Sequence, residues 1–269
     1  MLDQDSYRLG FGTYSLTDKE GINAITAAIN AGYRHLDTAR LYGNEEEVGE
    51  AIRRANVERS ELFVATKIAH FEEPEKTPDY IRSGVQESLD KLGIETIDLL
   101  YHHWPRGQDD IKTVLPVFNE LVNQDIASQV GVSNYTPNDL DLADDLLDVP
   151  LSALQAEMHP LLPQQNLREA VQDRNAHFVA YSPIAQGEVF DVPEITEVAK
   201  KHSTNAATVS LAWLLSKDSV IPIPRSKSSE HIRSNLGALD LELDDEDIER
   251  IDSLDQQKRY EDPSWMEWE

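Results

Sequence analysis

The chain contains no cysteine, which excludes disulfides, thiolate metal sites and cysteine nucleophiles together. Positive charge is also scarce: 24 lysines and arginines stand against 50 aspartates and glutamates, a formal net charge of −26. A surface of that sign repels a phosphate backbone, so nucleic acid is not an expected partner. No window approaches the roughly 18 consecutive apolar residues that a membrane-spanning helix needs. The opening residues MLDQDSYRLG have neither the basic start nor the apolar stretch of a secretion signal. These absences predict a soluble cytoplasmic protein that does not enter a membrane. The acid excess also predicts salt adaptation of a halophilic kind, because a Debye length of about 3 Å in molar salt screens the self-repulsion of so many carboxylates.

What is present is a regular alternation of short apolar runs with amphipathic stretches, the pattern of repeated βα units. Strands are expected near Arg8–Tyr14, Tyr33–Thr38, Leu62–Ile68, Ile97–His102, Gln129–Ser133, Ala153–Glu157, His177–Tyr181 and Val220–Ile223. Thr17 with Glu20 three residues on reads as a capping box. Thr77-Pro78 and Thr136-Pro137 each put a cap before a first-turn proline, and Gly32 suits a helix C-terminus. Several strands are continuously apolar, as when both sheet faces are covered. Eight such units in 269 residues predict a closed (β/α)8 barrel, a TIM barrel, as one domain spanning 1–269. An open doubly wound sheet would need a GxGxxG turn. The nearest match, Gly10-Phe11-Gly12-Thr13-Tyr14-Ser15, lacks the third glycine.

Barrel enzymes build their sites at the C-terminal ends of the strands. Four polar residues stand there: Asp37, Tyr42 in the loop after it, Lys67 and His103. Singly, a strand-end aspartate is commonly a cap, a tyrosine amphipathic packing, and a histidine a bonded core residue. Lys67 is harder to dismiss, because an ammonium at the end of a buried strand requires compensation. Together they form a proton-donating set. A phenol with a pKa near 10 is a poor acid at neutral pH, and an ammonium beside it is expected to lower that value. Asp37 would hold Lys67, and His103 would donate to a substrate carbonyl oxygen.

The stretch Gly-Tyr-Arg-His-Leu-Asp-Thr-Ala-Arg-Leu-Tyr-Gly-Asn-Glu at 32–45, Ala-Thr-Lys at 65–67 and His-Trp-Pro at 103–105 resemble, in order, the signatures of the aldo-keto reductases. The resemblance implies a TIM barrel with Asp37, Tyr42, Lys67 and His103 as its catalytic tetrad. It leaves His102 to packing. It further implies a nicotinamide cofactor, NADPH ahead of NADH, held by Gly12, Thr13, Ser133, Asn134, Gln155, Tyr181, Ser182, Arg225, Ser226, His231 and Asn235. Side-chain amides and hydroxyls suit a carboxamide, which both donates and accepts. Arg225 suits a 2′-phosphate, and Lys227 and Arg233 stand close to it in sequence. His231 departs from the arginine frequent at that position.

Family position puts Tyr14, Leu41 and Trp104 in the pocket of a small-molecule carbonyl substrate. The chain looks most like the microbial diketogluconate reductase-like members, enzymes of small sugars and dicarbonyl compounds. The expected activity is NADPH-dependent reduction of an aldehyde or ketone. An NADPH-binding regulatory or sensor barrel is the alternative, and an idle scaffold has no need of all four tetrad residues. The histidines show no metal-binding spacing, so no metal is expected. The final stretch, with Trp265 and Trp268, is expected either beside the substrate or against the outer barrel. Oligomeric state is not readable from the sequence.

Overall fold

The computed structural model describes residues 7–73 and 76–268. Eight strands lie in sequence order in one sheet: β1 (Gly10–Gly12), β2 (His35–Asp37), β3 (Phe63–Ile68), β4 (Leu99–His102), β5 (Val130–Ser133), β6 (Leu151–Glu157), β7 (His177–Tyr181) and β8 (Val220–Pro222). All seven neighbouring pairs are parallel. Each return therefore crosses by helix: α1 (Asp18–Ala31), α2 (Glu45–Arg54), α3 (Pro78–Leu92), α4 (Gln108–Asn123), α5 (Pro137–Leu146) and α6 (Gln165–Gln172). The last crossing holds two, α7 (Pro193–Lys201) and α8 (Ala206–Leu215), and α9 (Ser229–Leu236) and α10 (Asp245–Asp252) follow β8. Gly12 N–H donates to Pro224 O at 3.1 Å and brings the two edges of the sheet together. A Cβ on Gly12 would lie 2.9 Å from Ile223 O, so a side chain there would wedge that seam. The architecture is the expected (β/α)8 barrel.

Successive strand residues face opposite ways, and the core divides accordingly. Phe63, Ala65, Leu99, Tyr101, Ala153, Val179 and Ile221 fill the barrel interior. Val64, Leu100, Val132, Leu154 and Phe178 point outward into the helical layer. Lys67 continues the row of Phe63 and Ala65, so the strand period by itself turns the ammonium into the barrel.

The eight expected strands are all present. β7 has its expected bounds, whereas β1 and β2 are shorter than expected at both ends. Thr77 caps α3 by accepting from Tyr80 N–H, and Thr136 with Asp139 forms a reciprocal capping box on α5. Gly32, at φ +126°, ends α1 as expected. The expected box at Thr17 and Glu20 is not formed. Asp18 enters the helix at φ +59°, the Thr17 hydroxyl turns to the Asp18 carboxylate, and Glu20 pairs with Lys227 at 2.8 Å.

Candidate active site

Parallel registry sets Asp37 level with Gly12 on one side and Ala65 on the other, with Lys67 two residues further along β3. Lys67 Nζ lies 2.5 Å from Asp37 Oδ1 and 2.7 Å from Thr38 O. Both side chains are sealed, at 1% and 2% exposure. The other Asp37 oxygen accepts from Gln155 Nε2 at 2.7 Å, reaching across the barrel from β2 to β6. Tyr42 closes a short 3-10 turn over Arg40–Tyr42 that ends at left-handed Gly43. Its hydroxyl accepts from Lys67 Nζ at 3.4 Å. Asn44 fastens this loop by donating to Thr13 O at 2.7 Å and Leu16 O at 2.9 Å. The His103 ring stands edge to face with Tyr42, centroids 5.8 Å apart. All four members of the expected tetrad are thus gathered at one end of the barrel.

The electrostatics correct one expectation. Burial pushes the Tyr42 phenol up, Lys67 pulls it down, Asp37 pushes it up again, and the net direction is upward from 10.0. The ammonium does not deliver a lowered pKa, because burial of the phenol outweighs it and Asp37 adds to the upward push. Burial also opposes the charge on Lys67, but the neighbouring Asp37 carboxylate and Tyr42 hold its pKa above the usual value. His103 is held neutral, its pKa pushed well down by burial and then by the Lys67 charge.

His102 takes the packing role. It is fully buried, and its Nδ1 meets the Tyr135 hydroxyl at 2.7 Å. A histidine that the motifs do not mark, His70, packs edge to face against His103 with centroids 4.7 Å apart. Burial pushes its pKa down to about 4. It follows left-handed Ala69, at φ +63°, a conformation that only the folded chain reveals.

The expected cofactor residues fall into two groups. Tyr181 donates to Asn134 Oδ1 at 2.9 Å, and Asn134 Nδ2 donates to Ser133 Oγ at 3.1 Å and His103 O at 3.3 Å. Asn134 and Ser182 sit at φ +58° and +50°, so both loops are tightly turned. This chain of amide and hydroxyls borders the tetrad. Gln155 gives its amide N–H to Asp37. The Thr13 hydroxyl donates to Asp37 O at 3.0 Å and Gly12 lies at the seam.

The second group lies beyond β8. Ser226 and Asn235 are buried, while Arg225, His231 and Arg233 are exposed. Ser226 Oγ accepts from Ser228 N–H, and Ser228 caps α9. Lys227, expected in the same positive patch, is instead paired with Glu20. Arg225, His231 and Arg233 have no carboxylate partner among the described residues. Free guanidinium groups beside a capped helix start fit a phosphorylated dinucleotide, which needs local positive charge on so acidic a surface.

Of the expected pocket residues, Tyr14 packs edge to face on Tyr42 with centroids 5.1 Å apart, and Leu41 is exposed beside it in the chain. Trp104 is buried under an aromatic group made by Phe71, Trp265 and Trp268, at centroid distances of 5.4, 6.5 and 6.0 Å. The C-terminal stretch therefore lies at the mouth rather than on the outer barrel. It is tied down by the buried Glu157 carboxylate at the end of β6, which accepts from Tyr260 N–H and Glu261 N–H at 2.9 Å and from His159 Nε2 at 2.9 Å. Lys258 N–H adds a bond to Leu161 O, and Glu188 takes the side chains of Lys258 and Tyr260. Glu157 and His159 are unmarked by periodicity, because their value comes from a tail a hundred residues away. Among the described residues no group of three or more His, Asp or Glu is placed to hold a metal ion, and no helix is long and apolar enough to cross a membrane.

A (β/α)8 barrel with a carboxylate, ammonium, phenol and neutral imidazole converging at one end of the strands is a scaffold for acid-assisted chemistry on a small oxygen-bearing molecule. The chain belongs to the aldo/keto reductase family, whose model matches residues 8–256. An aldo-keto reductase of Mycobacterium sp. (strain KMS) is 33% identical over 253 residues, covering 94% of this chain and 90% of that protein. A glyoxal reductase of Bacillus subtilis (strain 168) is 32% identical over 251 residues, covering 93% and 89%. A solved structure provisionally described as a 2,5-diketo-D-gluconic acid reductase B superposes with a TM-score of 0.92 at 30% identity, covering 97% of this chain and 93% of that one. Family membership makes the chain an oxidoreductase of a group that acts on small carbonyl compounds.

Proposed function

We propose that the protein reduces an aldehyde or ketone to an alcohol with NADPH. The observation that carries this reading is Lys67 Nζ standing 2.5 Å from Asp37 and 3.4 Å from the Tyr42 hydroxyl, with the His103 ring beside that phenol. Bound NADPH supplies the hydride that the carbonyl carbon takes. As negative charge grows on the carbonyl oxygen, Tyr42 gives it a proton. The raised pKa keeps the resting phenol protonated, and Lys67 then stabilises the phenolate left behind. Asp37 and Gln155 hold the ammonium line in place, and neutral His103 orients the carbonyl oxygen by donating to it.

Ser133, Asn134 and Gln155 are assigned to the carboxamide of the cofactor, Tyr181 and Ser182 to the nicotinamide face, and Gly12 and Thr13 to the backbone ledge beneath it. Arg225, Ser226, His231 and Asn235 are assigned to the adenosine phosphate. The unpaired arginine at 225 favours NADPH over NADH, because a guanidinium grips a 2′-phosphate in bidentate fashion. Tyr14, Leu41 and Trp104 are assigned to the substrate pocket. The acid excess supports adaptation to high salt, and we take the protein to be one barrel domain in the cytoplasm. The test is a panel of small aldehydes, ketones and dicarbonyl compounds, following NADPH and NADH absorbance at low and high salt. Cofactor binding without turnover of any carbonyl would instead support a sensor barrel.

A further inference from the structure

His70 has no place in the tetrad, yet its imidazole occupies the mouth beside it. Its ring is 4.7 Å from that of His103, 4.3 Å from Phe71 and 5.9 Å from Trp104, all centroid to centroid. The loop that carries it is braced at both ends. The Glu73 carboxylate accepts from His70 N–H at 3.0 Å, and Glu73 N–H donates to His70 O at 2.9 Å. Glu73 also faces Arg40 at 4.0 Å, on the turn that carries Tyr42. Left-handed Ala69 reverses the chain at the end of β3 and sets His70 over the mouth. Unstrained positions rarely adopt that conformation without glycine.

The tautomer follows from one contact. His70 Nδ1 accepts from Glu72 N–H at 3.2 Å, so the proton of the neutral ring is on Nε2. That Nε2–H has no acceptor among the described residues. The His70 side chain keeps 9% of its surface exposed, whereas His103 Nδ1 is enclosed and unpartnered. A donor held in place by its Nδ1 contact, on a ring packed against that of His103, is suited to a substrate oxygen close to the carbonyl.

We propose that His70 is a second hydrogen-bond donor of the substrate pocket, taking the oxygen on the carbon next to the carbonyl and thereby selecting α-hydroxycarbonyl and 1,2-dicarbonyl compounds over plain aldehydes. Two imidazoles in edge-to-face contact, 4.7 Å apart between centroids, suit oxygens on adjacent carbons better than oxygens several bonds apart. Phe71 and Trp104 pack against the His70 ring, and Trp265 against Phe71, which holds the imidazole in place. This inference rests on the carbonyl-reductase reading above.

The experiment compares glycolaldehyde with propanal, molecules of similar size that differ in the neighbouring oxygen, using the whole chain and NADPH. The parent protein, His70→Phe and His70→Gln are measured side by side, because phenylalanine keeps a ring without a donor and glutamine keeps an N–H at a similar reach. In His70→Phe the ratio of kcat/KM for glycolaldehyde to that for propanal is expected to fall about tenfold, the usual worth of one hydrogen bond in an enclosed site, mostly through KM. In His70→Gln the ratio is expected to stay within about threefold of the parent. An unchanged ratio in His70→Phe, or an equal fall in both variants, overturns the donor role and leaves the carbonyl-reductase reading intact. A parent that turns over no carbonyl of the wider panel overturns that reading, and this inference with it.

Discussion

At the floor of the barrel mouth Asp37, Lys67 and Gln155 are closed to water and bound to one another, whereas beyond β8 Arg225, His231 and Arg233 stand exposed with no carboxylate partner. Both regions concentrate charge, and solvent decides what that charge does. On the floor an ion has only its partner to satisfy it, so the pair is part of the fold as well as the chemistry. On the outer patch water and salt screen each charge, so a free guanidinium costs little and remains available for a phosphate. Charge on the floor is therefore read through stability and rate together, and charge on the patch through affinity alone.

Several substitutions and conditions would break or sharpen that contrast. The largest effect belongs to Tyr42→Phe, which keeps the ring and removes the proton. Turnover should drop by a factor on the order of 10² to 10⁴ while NADPH affinity, followed by fluorescence titration, survives. A near-parent rate in that variant, with His103→Ala folded but inactive, would make the histidine the acid. Next comes Lys67→Met, which leaves Asp37 buried without a counter-charge. A loss of about 3–5 kcal/mol in urea unfolding is expected alongside lost turnover, and adding Asp37→Asn should recover much of the stability but not the rate.

Acid should act on the buried interior before the surface. His35, His70 and His102 are held neutral, with pKa values pushed down by burial to about 4, about 4 and about 3. Unfolding returns them to the ordinary 6.5, so the unfolded chain binds more protons in this window. Their contribution is fully present above pH 6.5 and is lost as pH falls toward 4, on the order of 3 kcal/mol for each histidine. Urea midpoints measured across that range check it. A flat profile would mean that these rings are solvated.

Arg225→Ala tests the patch. NADPH affinity should weaken about tenfold while NADH affinity and the unfolding midpoint barely move, since a charge-assisted bond is lost from a group that supports no packing. Equal loss for both cofactors would remove the 2′-phosphate role. The smallest effect is global. Raising KCl from 0.1 to 2 M takes the Debye length from about 10 Å to under 3 Å. Tm should then rise by about 2–4 °C for each kcal/mol of carboxylate repulsion relieved. A flat or falling Tm would remove the salt-adaptation reading.

Much of this protein was decided locally. Alternating short apolar runs and capped helices were enough for eight parallel strands, because two-sided burial and the strand period leave their mark on every segment. Strand-end position and motif order marked Asp37, Tyr42, Lys67 and His103, and the structure brings those four together. The direction of the Tyr42 pKa was not legible, since it depends on how burial, Lys67 and Asp37 balance in three dimensions. Nor was the Thr17 cap, lost when Asp18 turned left-handed and Glu20 found Lys227 on a distant loop. The tail over Trp104, the Gln155 brace across the barrel and the edge-to-face contact of His70 with His103 have the same origin. Each joins residues far apart in the chain or set by a single backbone angle, and such contacts leave no periodicity behind; only closure of the barrel makes them neighbours.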